Sequence, residues 1–172
     1  MTRNKKRRGK AVVCKVLLLL LYIVIFSFSA QDGETSGGIS MAVSQKGIRL
    51  FDFLTGGRLA AERLAELVTA FEHPLRKMAH FAEYALMGVL VFRILYCHMK
   101  KGIRRYWLTV LWVFVSAAAD EIHQYFVPDR WASISDVLLD TCGGAAGAFL
   151  CMAVLYVSDK QKQNQNHRSH TL

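Results

Sequence analysis

Ionisable side chains are concentrated between Ala117 and Gly147, in the stretch AAADEIHQYFVPDRWASISDVLLDTCGGAAG. Imidazole and carboxyl groups can act as general acids or bases when burial or neighbouring charges tune their pKa. Carboxylates are also the ligands that Mg²⁺ and Mn²⁺ prefer, so either ion is a possible cofactor. The candidates for acid–base chemistry are His80, Glu121 and His123, and those for metal binding are Asp120, Asp136 and Asp140.

The elements that must position these groups are apolar runs of about 20 residues, the length an α-helix needs to cross a bilayer. The chain has 172 residues, of which 53% are hydrophobic and 20% charged. The sequence therefore predicts an all-α fold, a small polytopic membrane protein built as a four-helix transmembrane bundle. The predicted spans are residues 11–30, 77–97, 106–126 and 137–157.

The first apolar run, at residues 11–30, has two interpretations. A basic flank, a Leu-rich centre and the small residues SFSA before Gln31 are also typical of a cleaved signal peptide. The run is long for a signal peptide, which favours a retained helix or signal anchor. In both cases the chain from residue 31 onward emerges on the outer side of the membrane.

Residues 31–76 are predicted to form an extracytoplasmic segment. QDGETSGGIS is turn-like and predicts irregular structure. From Arg58, apolar residues recur at a helical period and predict an amphipathic helix on the membrane surface or a soluble cap. Pro74 is expected to end this helix before the next span.

Basic residues flank the apolar runs, as topology-determining charges do, so the net charge of +9 does not indicate nucleic-acid binding. The start of the chain, the loop HMKKGIRR and the polar tail at 158–172 are predicted to be cytoplasmic. The four cysteines stand singly, without the spacing of a zinc or redox site. The predicted location is the cytoplasmic membrane, with multiple spans and both termini inside.

Helical spacing brings the polar residues onto shared faces at one depth. A charged side chain at mid-bilayer costs about 2.5–3.5 kcal/mol, so these groups must lie near the interface, face inward or pair with one another. Residues three and four apart are neighbours on a helix. The small residues of GGAAG at 143–147 predict close helix packing. The sequence thus predicts one outer pocket, with ligand-binding candidates Lys77, His80, Tyr84, Asp120, Glu121, Gln124, Arg130 and Asp136.

The stretches RKMAHFAEYALMGVL and DEIHQYFVPDRWASISDVLLDTCGGAAG together resemble the VanZ-like family of bacterial membrane proteins, over roughly residues 76–147. The resemblance implies an integral membrane protein, with residues 77–157 as a three-helix core, and the founding member is linked to teicoplanin resistance. Asp129 stands where the family often has Gly, and Asp140 where it often has Asn. The matching positions are Lys77, His80, Tyr84, Asp120, Glu121, Gln124, Arg130, Asp136 and Gly144.

Two classes of function remain open. In the first, the pocket binds a cell-envelope ligand, either a lipid-linked cell-wall precursor or a glycopeptide, and contributes to resistance. In the second, a membrane-embedded enzyme modifies a lipid-linked substrate by acid–base or metal-assisted chemistry. An inward-facing charge network that only fixes helix register is a third interpretation. Membrane lipids are the other expected partners, and the sequence leaves the oligomeric state undecided.

Overall fold

The computed structural model describes residues 3–99 and 102–169, which form five helices and no strand. The all-α prediction is therefore confirmed. Lys100 and Lys101 of the predicted basic loop, and residues 170–172 of the predicted tail, lie outside the described residues. In chain order the helices are α1 (Arg3–Ser29), α2 (Gly33–Leu54), α3 (Ala61–His98), α4 (Arg104–Tyr125) and α5 (Ile134–Ser169).

Three of the described helices are long and apolar enough to cross a membrane: Arg8–Ser29, Ala61–His98 and Ile134–Gln165. They contain the predicted spans at 11–30 (apart from Ala30), 77–97 and 137–157. The fourth predicted span corresponds to α4, which does not meet the same test of length and composition. Asp120 and Glu121 lower its hydropathy near its C-terminal end. The structure thus supports three spans by this criterion, not the predicted four.

The prediction of irregular structure after residue 31 is wrong, because Gly33–Leu54 is helical. Glycine and serine have low intrinsic helix propensity, but packing against a neighbour can override it. Helix α2 packs against α3. The buried Ser44 hydroxyl donates a hydrogen bond to the Val68 carbonyl oxygen of α3 at 3.0 Å. This tertiary contact has no signature in the local sequence.

Pro74 does not end a helix, which is a second correction. Helix α3 continues through it from Ala61 to His98, so the predicted amphipathic helix and the second span are one element. Proline removes one backbone donor and strains one turn. Within a packed bundle, neighbouring elements can compensate for that loss. Helix α2 packs against α3, and its Ser44 contacts Val68 in the part of α3 before Pro74.

The core of the bundle lies between α3, α4 and α5, with α1 completing one side. Tyr84, Met87, Val113 and Ala117 are fully buried there, and Leu21 and Ile25 of α1 join the same cluster. The outward faces carry many large apolar side chains, including Leu19 of α1. A helix surface of this kind suits contact with lipid rather than water.

Helices α3 and α5 approach each other through glycines. A Cβ atom built on Gly88 would lie 2.0 Å from the Gly144 carbonyl oxygen, and one on Gly147 would lie 1.9 Å from the Ala85 carbonyl oxygen. Only glycine fits at such distances, so the spacing of small residues here sets the helix separation. This close approach also brings the N-terminal end of α5 beside Lys77 of α3, where the two helices form an ion pair.

Candidate functional site

One end of the bundle contains a cavity of ≈ 390 Å³, here called the polar cavity. It lies where the middle of α3, the C-terminal end of α4, the following loop and the first turns of α5 meet. Its wall carries side chains of both charges together with imidazole, amide and apolar groups. The lining residues are His73, Arg76, Lys77, His80, Glu121, Gln124, Asp129, Arg130, Trp131, Asp136, Leu139 and Asp140.

An ion pair joins two of the helices across this cavity. The Lys77 ammonium lies 2.8 Å from Asp136 Oδ1, linking α3 to α5. Both side chains are about one-third exposed, at 36% and 34%. Such a pair stays accessible to a solute, and its net contribution to stability is modest because water screens it.

Glu121 connects α4 to the loop that leads into α5. It is buried, and its Oε2 accepts a hydrogen bond from the Ser133 backbone N–H at 2.8 Å. Ser133 directly precedes α5, so this bond fixes where α5 begins relative to α4. The second carboxylate oxygen is not committed by this bond, and Glu121 also lines the polar cavity.

Two substitutions of Glu121 distinguish the effect of its hydrogen bond to Ser133 from the effect of its charge. Glu121→Ala is expected to destabilise the protein by about 1.5–3 kcal/mol, because the part-buried N–H of Ser133 loses a charged acceptor. Glu121→Gln keeps an acceptor oxygen and is expected to lose less than half of that. Thermal unfolding in detergent micelles measures both. Glu66→Ala, which removes an exposed i,i+3 ion pair, serves as the control and should change stability by no more than about 0.5 kcal/mol. Equal effects of the Ala and Gln changes would contradict the assigned hydrogen bond.

His80 stands between the polar cavity and a second cavity. Its Nδ1 lies 3.7 Å from Glu83 Oε2, too far for a hydrogen bond, and has no hydrogen-bond partner among the described residues. Buried polar atoms of folded proteins are nearly always paired. His80 therefore has a buried ring nitrogen that the described residues leave unpaired, in a side chain that lines both cavities.

Arg130, in the loop between α4 and α5, lines both cavities. Its Nη2 donates to the Phe28 carbonyl oxygen of α1 at 3.2 Å, and its buried Nε has no hydrogen-bond partner among the described residues. Burial lowers the pKa of the Arg130 guanidinium, and the nearby charge of Arg76 lowers it further. An arginine still stays protonated at neutral pH, so this site favours an anionic group.

The second cavity, here called the apolar cavity, has a volume of ≈ 240 Å³ and lies between α1, α2 and α3 beside the polar cavity. Phe28, Ile39, Val43 and Leu75 give it a largely hydrocarbon wall, to which Gln31, Ser40 and Glu83 add polar atoms. Three residues line both cavities: Arg76, His80 and Arg130.

Three predicted site residues do not line the polar cavity. The Asp120 carboxylate instead accepts hydrogen bonds from Ser29 and Gln124, both at 2.9 Å, and so faces α1. The His123 ring stacks on Phe26 of α1, with centroids 4.7 Å apart. Tyr84 is fully buried in the core. The other predicted residues, Lys77, His80, Glu121, Gln124, Arg130, Asp136 and Asp140, do line it.

The predicted metal ligands do not come together as a set. Asp120 is turned toward α1, whereas Asp136 and Asp140 line the polar cavity. Across the part of the chain that the structure describes, no group of three or more His, Cys, Asp or Glu side chains could hold a metal ion. The helical period predicted that the three aspartates lie at one depth. It did not predict which side of α4 would face the cavity.

Sequence reasoning missed five lining residues, namely His73, Arg76, Asp129, Trp131 and Leu139. Arg76 had a detectable signal, because it stands next to Lys77 at the predicted entrance of a span. His73 and Arg76 were assigned to the region around a helix break at Pro74. The continuous α3 instead places His73 about one turn before Lys77 and Arg76 directly before it, on the same helix.

Asp129, which lines the polar cavity, has a left-handed backbone conformation with φ 58°. Residues without a Cβ adopt this region at no cost, Asn and Asp tolerate it, and β-branched residues do not. We expect Asp129→Gly and Asp129→Asn to keep stability within about 0.5 kcal/mol, and Asp129→Val to lose about 1–2 kcal/mol. Thermal unfolding of the three variants measures this. A Val variant as stable as wild type would contradict the strained turn.

The fold and the site together define a class: a membrane protein of long apolar helices that carries charged side chains in a cavity at one end of the bundle. A family model described as VanZ/LLP1 matches residues 15–156. This match covers most of the chain, so the chain belongs to the VanZ/LLP1 family, as the resemblance of its motifs predicts. It includes all residues that line the polar cavity. Searches of curated proteins and of solved structures found no match.

Proposed function

We propose that the protein binds an amphiphilic cell-envelope ligand, a lipid-linked precursor with an anionic group near its lipid end, and that binding contributes to glycopeptide resistance. One observation carries the proposal: a polar cavity with charged groups directly adjoins an apolar cavity, and Arg76, His80 and Arg130 belong to both. Ligand sites combine apolar walls with a few polar groups that fix orientation.

The apolar cavity, the junction and the polar cavity match, in this order, the hydrocarbon chain, the phosphate and the polar head of such a ligand. The apolar cavity suits a hydrocarbon chain. Arg76 and Arg130, at the junction, suit a phosphate, which guanidinium groups bind with two parallel hydrogen bonds. Beyond them, the carboxylates of Glu121, Asp136 and Asp140 suit hydroxyl or amino groups of a sugar or peptide head.

This function requires the polar cavity to open toward the outer leaflet. We propose four spans, α1, α3, α4 and α5, with both termini cytoplasmic. Helix α4 has 22 residues, about 33 Å at 1.5 Å per residue, enough for a hydrocarbon core of about 30 Å. Trp107, Leu111 and Val115 on its exposed face suit lipid. The basic loop and tail then lie inside, as positive charges in short loops favour.

The same proposal treats α1 as a retained helix rather than a cleaved signal. Leu21 and Ile25 belong to the bundle core, and the Tyr22 hydroxyl lies 2.6 Å from Ser116 Oγ of α4. The Ser29 hydroxyl donates to Asp120. Loss of α1 would expose these groups and open one wall of the apolar cavity.

A second candidate function is catalysis on the same ligand. His80 and Glu121 line one cavity from different helices, and no hydrogen bond among the described residues occupies Nδ1 of His80. This pair could act as a general acid and a general base. Lipid extracts decide between the two functions: an unprocessed species that accumulates with His80→Ala indicates catalysis, and identical profiles indicate binding.

The proposed function is tested in a glycopeptide-susceptible bacterium that expresses the chain. Wild type is expected to raise the teicoplanin concentration needed to stop growth. Lys77→Gln and Glu121→Gln are expected to abolish this gain at equal protein abundance, whereas Arg63→Gln, in an exposed ion pair away from the cavities, should retain it. Resistance that persists in both cavity variants would refute the proposal.

A further inference from the structure

A buried arginine lies at the end of the bundle opposite the polar cavity. Arg105, in the first turn of α4, is only 7% exposed, whereas the neighbouring Arg104 is exposed. The sequence assigned both to a topology-determining basic loop, where arginines are expected to reach water or lipid headgroups. Burial of one of them is therefore not explained by topology.

Two aromatic rings contribute to stabilising the charge of Arg105. Its Cζ lies 5.0 Å from the Tyr96 ring centroid and 5.9 Å from that of Phe92, which are cation–π distances. None of the ion pairs among the described residues involves Arg105, and its Nε has no hydrogen-bond partner there. The cavity beside it is lined by two cations, Arg105 and Lys160, and one carboxylate, Asp159, and this excess of positive charge favours an anion from outside the chain.

Arg105 also lines a cavity of ≈ 480 Å³ between α3, α4 and α5, here called the Arg105 cavity. Met152 and Leu155 give it an apolar wall, and Lys160 adds a second cation. Asp159 lines it too, and accepts a hydrogen bond from the Tyr96 hydroxyl at 2.8 Å. Basic pockets between membrane helices bind the phosphate groups of anionic lipids.

We propose that the Arg105 cavity binds the phosphate group of an anionic membrane lipid, with Arg105 as the main ligand, Lys160 as a second cation and the apolar wall against the lipid chain. Two parallel N–H donors of a guanidinium match the oxygen atoms of a phosphate. The site differs in position and residues from the polar and apolar cavities, so it does not depend on the proposed function.

The test uses the full chain purified in phosphatidylcholine nanodiscs, with dioleoylphosphatidylglycerol as the probe and native mass spectrometry as the readout. Arg105→Gln is expected to weaken retention of this lipid by about tenfold or more, as loss of a charge-assisted hydrogen bond predicts. The matched control Arg104→Gln, one residue away and exposed, should stay within about twofold, since exposed charges contribute little. Equal retention by wild type and Arg105→Gln overturns the proposal.

Two further measurements complete the test. If Arg105→Gln does not fold, the test uses Lys160→Gln instead, at an exposed position of α5. Reduced lipid retention by this variant supports the site, and unchanged retention overturns it. Added phosphatidylglycerol should raise the melting temperature of wild type but not of the variant, as selective binding to the folded state requires. Competition by millimolar inorganic phosphate would identify free phosphate as the ligand and overturn the lipid assignment.

Discussion

Gly147→Ala is expected to destabilise the protein by about 2–3 kcal/mol or more, because the added methyl group cannot fit between α3 and α5. Its Cβ would lie 1.9 Å from the Ala85 carbonyl oxygen, and this backbone atom cannot move without shifting all of α3. Gly88→Ala should behave alike, since its Cβ would meet the Gly144 carbonyl oxygen at 2.0 Å. The measurement is thermal unfolding in detergent micelles, with monodispersity on size-exclusion chromatography.

The chain offers a matched control on another helix. Gly38 and Gly47 in α2 have no atom within 4 Å of a built Cβ. Alanine at either position should stabilise the protein by about 0.5–1 kcal/mol, since it favours the helix over the unfolded chain. If Gly147→Ala and Gly47→Ala shift the melting temperature equally, the close approach of α3 and α5 does not determine the effect of alanine at these positions.

A larger separation of α3 and α5 would also change the polar cavity. The Lys77–Asp136 ion pair joins α3 and α5 at 2.8 Å, on the same pair of helices as the glycine contacts. A Gly147→Ala chain that still folds is therefore expected to lose this pair. Its teicoplanin phenotype should then resemble that of Lys77→Gln.

Arg76→Gln is expected to weaken binding of a polyisoprenyl phosphate by about ten- to a hundredfold, the effect of losing a charged hydrogen bond of about 1.5–3 kcal/mol. Arg76 lines both the polar and the apolar cavity, and so stands where a phosphate would join a hydrocarbon chain. Arg130→Gln should have an effect of similar size. Binding is measured with the full chain in phosphatidylcholine nanodiscs.

The matched control is Arg63→Gln, which neutralises an arginine of the same helix outside both cavities. Its side chain is 63% exposed and pairs with Glu66, so ligand binding should change by less than about twofold. Equal weakening by Arg63→Gln and Arg76→Gln would mean that general surface charge attracts the ligand. Short-chain phosphate without a prenyl tail should bind more weakly, because it leaves the apolar cavity unused.

The sequence was most informative about which residues share a depth. The bounds of the predicted spans place Lys77, Glu121 and Asp136 at one depth, and the structure brings all three to one cavity. The family assignment followed from the same residues. Local spacing suffices here because a helix has a fixed rise and period.

Local spacing did not determine which face of each helix points inward. Asp120 and Glu121 are neighbours in sequence, yet Asp120 bonds to Ser29 of α1 while Glu121 lines the polar cavity. The rotation of α4 depends on its packing against α1, α3 and α5, which are distant in sequence. The same reason explains why His123 lies against Phe26.

By itself, the sequence determined the all-helical class, three apolar spans and the end of the bundle at which polar groups collect, because hydrophobic length and helical period are local properties. Only the tertiary structure decided that Gly33–Leu54 is a helix, that α3 continues through Pro74, and that Arg105 is buried. In each case the deciding free energy comes from contacts between distant segments, which override the local preferences of glycine, proline and arginine.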